Sequence, residues 1–233
     1  MFLLSLLSQE ISVHIETGVV QGTKLLLSVG TALTAGGLVL RQCLEFLVQH
    51  GLSALLGRTI CTGVLVFFFF EILPSSPVGV SEVRLILGST LFFLFGLVPS
   101  ALGLAIGLLA QAPWDLPQYG MNVTTLLLPL LVVYAIAERI IHRQTAYQDL
   151  SYGQVLQLSL VYQGGIVSWV AFWVFYGQGF GADSVFQVLS FGSAYLGVIV
   201  LEPLIDLSLL AGVKILPSLR NSSVFSKRLF QPA

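Results

Sequence analysis

Charge is what this chain has least of. Only 9% of its 233 residues are Asp, Glu, Lys or Arg, against about 25% in an ordinary soluble domain. A surface so poor in charge does not belong to a water-soluble globule. The net charge is −1, which leaves no electropositive footprint for a nucleic acid. Cysteine is nearly absent. Cys43 and Cys61 lie in or beside apolar segments without metal-type spacing and read as small packing residues. Enzyme signatures are missing as well: no Gly-Lys-Ser/Thr phosphate loop, no His-Glu-x-x-His, no Cys-x-x-Cys, no supported Ser/His/Asp arrangement. The chain reads as a non-enzyme, and ATP-driven work would need ATPases from outside.

What the chain has in abundance is apolar surface. Hydrophobic residues make up 56% of it and the mean hydropathy is +0.93. The expected fold is an all-α polytopic membrane bundle forming one integral domain over 1–233, with the lipid bilayer as its first partner. Apolar runs predict spans over 19–40, 52–73, 123–141, 155–176 and 185–213, with a broken pair between 84 and 111. Pro74, Pro77, Pro113, Pro117 and the Gly-rich 177–183 mark connectors. Trp173 and Tyr176, near the end of the penultimate span, suit an interfacial anchor.

The run over 84–111 is too long for one ordinary crossing and each half is short for one, since roughly 20 apolar residues span the hydrocarbon core. Val98-Pro99 interrupts it. Loop charge decides between one crossing and two, because cytoplasmic loops collect Lys and Arg. If 84–111 crosses twice, or dips in and returns, Arg41, the pair Arg139 and Arg143, and the C-terminal Lys214, Arg220, Lys227 and Arg228 all face one side. That arrangement predicts about seven membrane segments, an extracytoplasmic N-terminal segment over 1–18 and a cytoplasmic basic tail over 214–233. The expected setting is a prokaryotic cytoplasmic or internal membrane. Residues 1–12 have a short apolar core but no preceding basic residue, and Glu10 stands where a cleavage site should be, so they read as an uncleaved interfacial segment.

Lys24, Arg58, Glu71, Glu138, Glu202 and Asp206 lie within apolar spans. Ionisable groups at such depth are costly and face the bundle interior or a cavity. Glu71 and Glu138 are near span ends and read as interfacial, and Lys24 can snorkel. Glu202 and Asp206 stand four residues apart and share one helix face, with Pro203 between them. Two readings are open: a buried pair of Arg58 with Glu202 that fixes helix packing, or a polar lining of a transport path.

The ordered features resemble those of the membrane substrate-capture subunits of cobalt and nickel energy-coupling-factor transporters, the CbiM/NikM family. His14-Ile15-Glu16-Thr17-Gly18 is similar to that family's N-terminal Met-His-Ile-Met/Pro-Glu/Asp-Gly. Gly88-Ser89-Thr90-Leu91-Phe92-Phe93-Leu94-Phe95-Gly96, then Pro99, resembles its Gly-x-Gly-Leu-Gly-Ala-x-Leu-Phe-Gly-Pro. Gly120-Met121-Asn122 resembles its Gly-Ala/Met-Asn, and Leu201-Glu202-Pro203-Leu204-Ile205 loosely resembles its Gly-Glu-Gly-Leu-Ile. The resemblance implies a seven-helix bundle that captures Co2+ or Ni2+ from outside and works with a membrane coupling protein and two ATPases. In that family the ion sits among the N-terminal amine, the adjacent backbone nitrogen and His, and a second His before the Gly-Leu-Gly segment.

This chain departs from the pattern at those ligands. His14 is present but not at position 2, and no His lies between His50 and His142. The second ligand's place falls on Arg84 or its neighbours, and arginine has no acceptor to offer a cation. The cavity candidates are His14, Glu16, Arg84, Asn122, Glu202 and Asp206, with His14 as the one metal candidate. Arg84 has two readings: a cation at the cavity mouth, favouring an anionic ligand or pairing with Glu16 or Glu82, or a loop arginine held by lipid phosphate. The leading expectation is a transporter capture subunit with metal specificity altered or lost. The alternative is a non-transporting structural or assembly subunit of a larger membrane complex.

Overall fold

The computed structural model describes residues 22–73, 76–78, 81–111, 116–142 and 144–232. Helix makes up 83% of it, counting two 3-10 turns (Tyr147–Asp149 and Pro217–Asn221) besides seven α-helices. They are α1 (Thr23–Glu71), α2 (Gly88–Phe95), α3 (Leu97–Leu109), α4 (Leu116–Ile140), α5 (Tyr152–Gln178), α6 (Ala182–Ile215) and the short α7 (Lys227–Phe230). An antiparallel two-stranded ladder, β1 (Ser76–Val78) with β2 (Ser81–Val83), pairs Ser76 with Val83. Four helices (α1, α4, α5 and α6) are long and apolar enough to cross a membrane, and α3 is a shorter apolar helix.

α1 runs for 49 residues but leaves helical geometry at Gly51 (φ 80°, ψ 168°). Only glycine adopts that conformation without cost. The chain turns sharply there: the Arg58 guanidinium lies 5.6 Å from the centre of the Phe46 ring. A straight helix rising about 1.5 Å per residue would hold those two backbones about 18 Å apart. The limb after Gly51 packs along α3. A Cβ on Gly103 would lie 2.2 Å from Thr62 Oγ1, and one on Gly107 would lie 2.4 Å from Val66 Cγ1. The Thr62 hydroxyl donates to the Pro99 carbonyl at 2.7 Å. The limb before Gly51 meets α4 instead, where Ser28 and Ala32 face Gly120. Its outward side chains, Leu33, Val48 and others, are exposed, compatible with lipid contact.

One end of the bundle collects basic groups and is closed by the chain's own C-terminus. Ser226 N–H donates to the Leu94 carbonyl at 2.7 Å, Arg58 Nε to the Ser223 carbonyl at 3.0 Å and Arg228 Nη2 to the His142 carbonyl at 3.2 Å. Phe225 stacks on Phe95, and Leu229 and Phe230 are buried. Arg228 also lies over Tyr147, whose phenol burial pushes up, with Arg228 partly opposing. α5 starts from a capping box in which Ser151 Oγ accepts from Gln154 N–H and Gln154 Oε1 accepts from Ser151 N–H.

The structure corrects several boundaries. The interruption in 84–111 falls at Gly96 (φ 85°). Pro99 sits in the first turn of α3, where its missing N–H has no helical partner to lose. Residues 84–87 are extended, and helix begins only at Gly88. Arg41 is not in a loop but inside α1, where it pairs with Glu45. The polar stretch 116–122 is the first part of α4. Of the expected basic tail over 214–233, Lys214 is still in α6, and Ser223, Ser226 and Arg228 are bonded back onto the bundle. We predict that Gly103→Ala, which drives a methyl into Thr62, lowers stability in detergent by about 1–3 kcal/mol. Thermal or denaturant unfolding of the purified protein reads this out.

Candidate functional site: acids and hydroxyls at a broken helix

The segment 84–95 enters the bundle as extended chain and becomes helix only halfway. Arg84 anchors its entry. The guanidinium donates to the Phe70 carbonyl at the end of α1, pairs with Glu82 at 2.9 Å and lies 5.9 Å from the Phe70 ring centre. Both ion-pair side chains are buried. The Tyr195 hydroxyl of α6 donates to the Arg84 carbonyl at 3.4 Å. Leu87 then adopts a left-handed conformation (φ 57°, ψ 38°) and precedes α2 without a side-chain cap. Such a conformation costs a bulky residue about 1–2 kcal/mol, and the first N–H groups of a helix need acceptors from elsewhere.

Those acceptors come from α6. Ser89 N–H donates to Glu202 Oε1 at 3.1 Å. Ser89 Oγ lies 2.6 Å from Glu202 Oε1 and 2.7 Å from Asp206 Oδ2. The Thr90 hydroxyl donates to Asp206 Oδ1, and the Ser159 hydroxyl of α5 donates to Asp206 Oδ2 at 2.6 Å. Glu202 is fully buried and Asp206 is 1% exposed. α2, α5 and α6 thus meet on two carboxyl groups and three hydroxyls. The Gly88 backbone lies against the Tyr162 ring so closely that a Cβ there would sit 1.9 Å from the ring. Among the described residues, no ion pair involves Glu202 or Asp206, and no group of three or more His, Cys, Asp and Glu side chains is placed to hold a metal.

The structure sorts the sequence candidates. Glu202 and Asp206 come together. Arg84 lies on the same segment, but its guanidinium is held by Glu82 and Phe70 rather than facing the acids. Of its two readings, the Glu82 pair is the geometry found, and it is buried rather than set in an exposed loop. Arg58 does not pair with Glu202. It sits at the basic end, donating to Ser223 and lying over Phe46. Asn122 is buried in α4 and, among the described residues, has no hydrogen bond to the acid cluster. His14 and Glu16 lie outside the described residues. Sequence reasoning had not singled out Ser159, Tyr162, Gln163 or Tyr195, all of which are buried. The signal lay in α5, where Ser159 and Gln163 place polar groups one turn apart within an apolar helix.

Fold and site together define an all-helical chain with four bilayer-length apolar helices and an acidic interior at a discontinuous helix. No protein-family profile matches the chain, and neither a curated protein nor a solved structure matches it. Arg84→Ala leaves Glu82 buried and unpaired, so we predict a loss of about 3–5 kcal/mol. The double variant with Glu82→Gln should recover much of it. A double-mutant cycle on detergent unfolding measures both.

Proposed function

We propose that this protein is the membrane substrate-capture subunit of a multi-component transporter of the energy-coupling-factor type, with a cargo specificity altered from cobalt and nickel. The observation that carries this reading is the discontinuous segment 84–95, whose half-helix begins inside the bundle on Glu202 and Asp206. Irregular backbone at membrane depth is tolerated where protein or a cavity covers it, and in transporters such half-helices often mark the substrate site. The ordered resemblance over His14 to Asp206 points the same way. Counting the two limbs of α1 separately, with 84–95 as one crossing, the chain makes seven passes. The basic end, with Lys214, Arg220, Lys227 and Arg228, is then cytoplasmic and is the face offered to a coupling protein and its ATPases.

The nitrogen donor set of the cobalt and nickel subunits is not reproduced, since the second His position falls at Arg84 and Arg84 is tied to Glu82. Purification of the full chain from its native membrane in mild detergent tests the assignment. Recovery with a membrane coupling protein and two ATPases supports it. Stable recovery inside an unrelated complex overturns it in favour of a structural or assembly subunit. Elemental analysis of the same preparation is expected to find no stoichiometric cobalt or nickel. Bound metal that disappears in His14→Ala would restore the original cargo.

A further inference from the structure

We propose that Glu202 is a proton-binding site whose proton is shared through the Ser89 hydroxyl with Asp206. The inference rests on counting protons, and it stands whether or not the chain transports anything. A hydroxyl has one proton and donates once, whereas an ionised carboxylate only accepts. Ser89 Oγ nevertheless lies 2.6 Å from Glu202 Oε1 and 2.7 Å from Asp206 Oδ2, both O–H···O distances. Its single proton serves one of them. If both carboxyls were ionised, the other contact would press a carboxylate oxygen against a hydroxyl lone pair with nothing between them.

One added proton closes the network. Ser159 also has one proton to give, and the Asp206 Oδ2 contact at 2.6 Å takes it in preference to the Val155 carbonyl at 3.0 Å; with Thr90 donating as well, a third donation from Ser89 leaves Asp206 fully satisfied as a carboxylate. Glu202 receives only the Ser89 N–H and Ser89 Oγ contacts, and its Oε2 has no hydrogen-bond partner among the described residues. The neutral acid is therefore Glu202, whose Oε1–H donates to Ser89 Oγ while Ser89 donates onward to Asp206 Oδ2. A metal ion does not fit this geometry. Oxygens coordinating a small cation at about 2.0–2.6 Å are held apart by the ion, whereas these approach each other as hydrogen-bonded oxygens do.

Ser159 on α5 is level with Asp206, and one turn further along α5 brings Tyr162 and Gln163 level with Glu202. The Tyr162 hydroxyl and both amide atoms of Gln163 are fully buried and lack hydrogen-bond partners among the described residues. The titratable groups that face Glu202 are Asp206 of α6, whose charge acts on it, and the phenols Tyr162 of α5 and Tyr195 of α6, on which the Glu202 charge acts; α2 contributes only the hydroxyls of Ser89 and Thr90. Loss of the proton sets two carboxylates on either side of Ser89 and loosens the junction of α2 with α6.

Infrared spectroscopy of the full chain in detergent or nanodiscs at neutral pH tests this. The expected result is a neutral carboxylic-acid carbonyl band that downshifts in D2O, disappears in Glu202→Gln and persists in Asp206→Asn. Glutamine keeps a donor for Ser89 Oγ through its amide nitrogen, but that atom cannot also accept the Ser89 N–H, so Glu202→Gln should fold and melt modestly below the wild type, and less far below it than Asp206→Asn. Asp206→Asn loses a charged acceptor of several hydroxyls and should melt at least about 5 °C lower. Melting of the wild type should fall toward alkaline pH and that of Glu202→Gln should not, with Tyr162→Phe and Tyr195→Phe leaving the contrast intact. No neutral-acid band in the wild type, a band that survives Glu202→Gln, or a Glu202→Gln protein that does not fold would each overturn the proposal. So would wild-type melting that rises with sodium or potassium at constant ionic strength and loses that rise in Glu202→Gln, which would make the occupant a metal cation.

Discussion

A helix that starts inside an apolar bundle has a problem that a surface helix does not: its first N–H groups find no water. α2 starts in this way, after a left-handed Leu87 that brings no capping side chain. The partner is Glu202, reaching from α6 to accept the Ser89 N–H. Once a carboxyl group is placed there, the rest of the interior is constrained. The positive end of the half-helix favours acids nearby, and Asp206 on the next turn of α6 is met by Thr90 and Ser159. Three helices are thereby joined at one polar point. An apolar substitute would leave the start of α2 unsatisfied, and in so dry a place each such orphan costs about 1–3 kcal/mol.

The same requirement explains how the chain manages its other breaks. Gly96 separates α2 from α3, and the Leu94 carbonyl there is taken by Ser226 N–H from the C-terminal segment. Gly51 turns α1 back, and Arg58 beyond the turn ties to Ser223 of that segment. The basic C-terminal stretch thus acts as a lid on the irregular end of the bundle, held by Phe225, Leu229 and Phe230. At the opposite side of segment 84–95, Arg84 does similar work with Glu82 and the Phe70 carbonyl. Each departure from helix is matched by a polar group from a distant part of the chain.

This pattern also marks where sequence reasoning ran out. Apolar runs are periodic and local, so the sequence places α4, α5 and α6 to within a few residues except at the start of α4, where Pro117 reads as a connector. Proline is tolerated in a first turn, and Gly120 lets α4 approach Ser28. Glu202 and Asp206 stood out because two acids one turn apart in an apolar span are conspicuous. Their partners did not. Arg58 was the nearest candidate by charge alone, yet it belongs to the other end of the bundle, and the groups that face the acids are hydroxyls.

By itself the sequence determined the apolar, bilayer-length runs, the helical class and the presence of a costly acidic pair, because these follow from composition and from spacing along one helix. Tertiary structure decided what the pair touches, where helix gives way to extended chain, and that Arg84 is committed to Glu82. The physical reason is that hydrogen-bond satisfaction in a dry interior is settled across the bundle: Ser89 and Asp206 meet only when α2 has been threaded between α5 and α6.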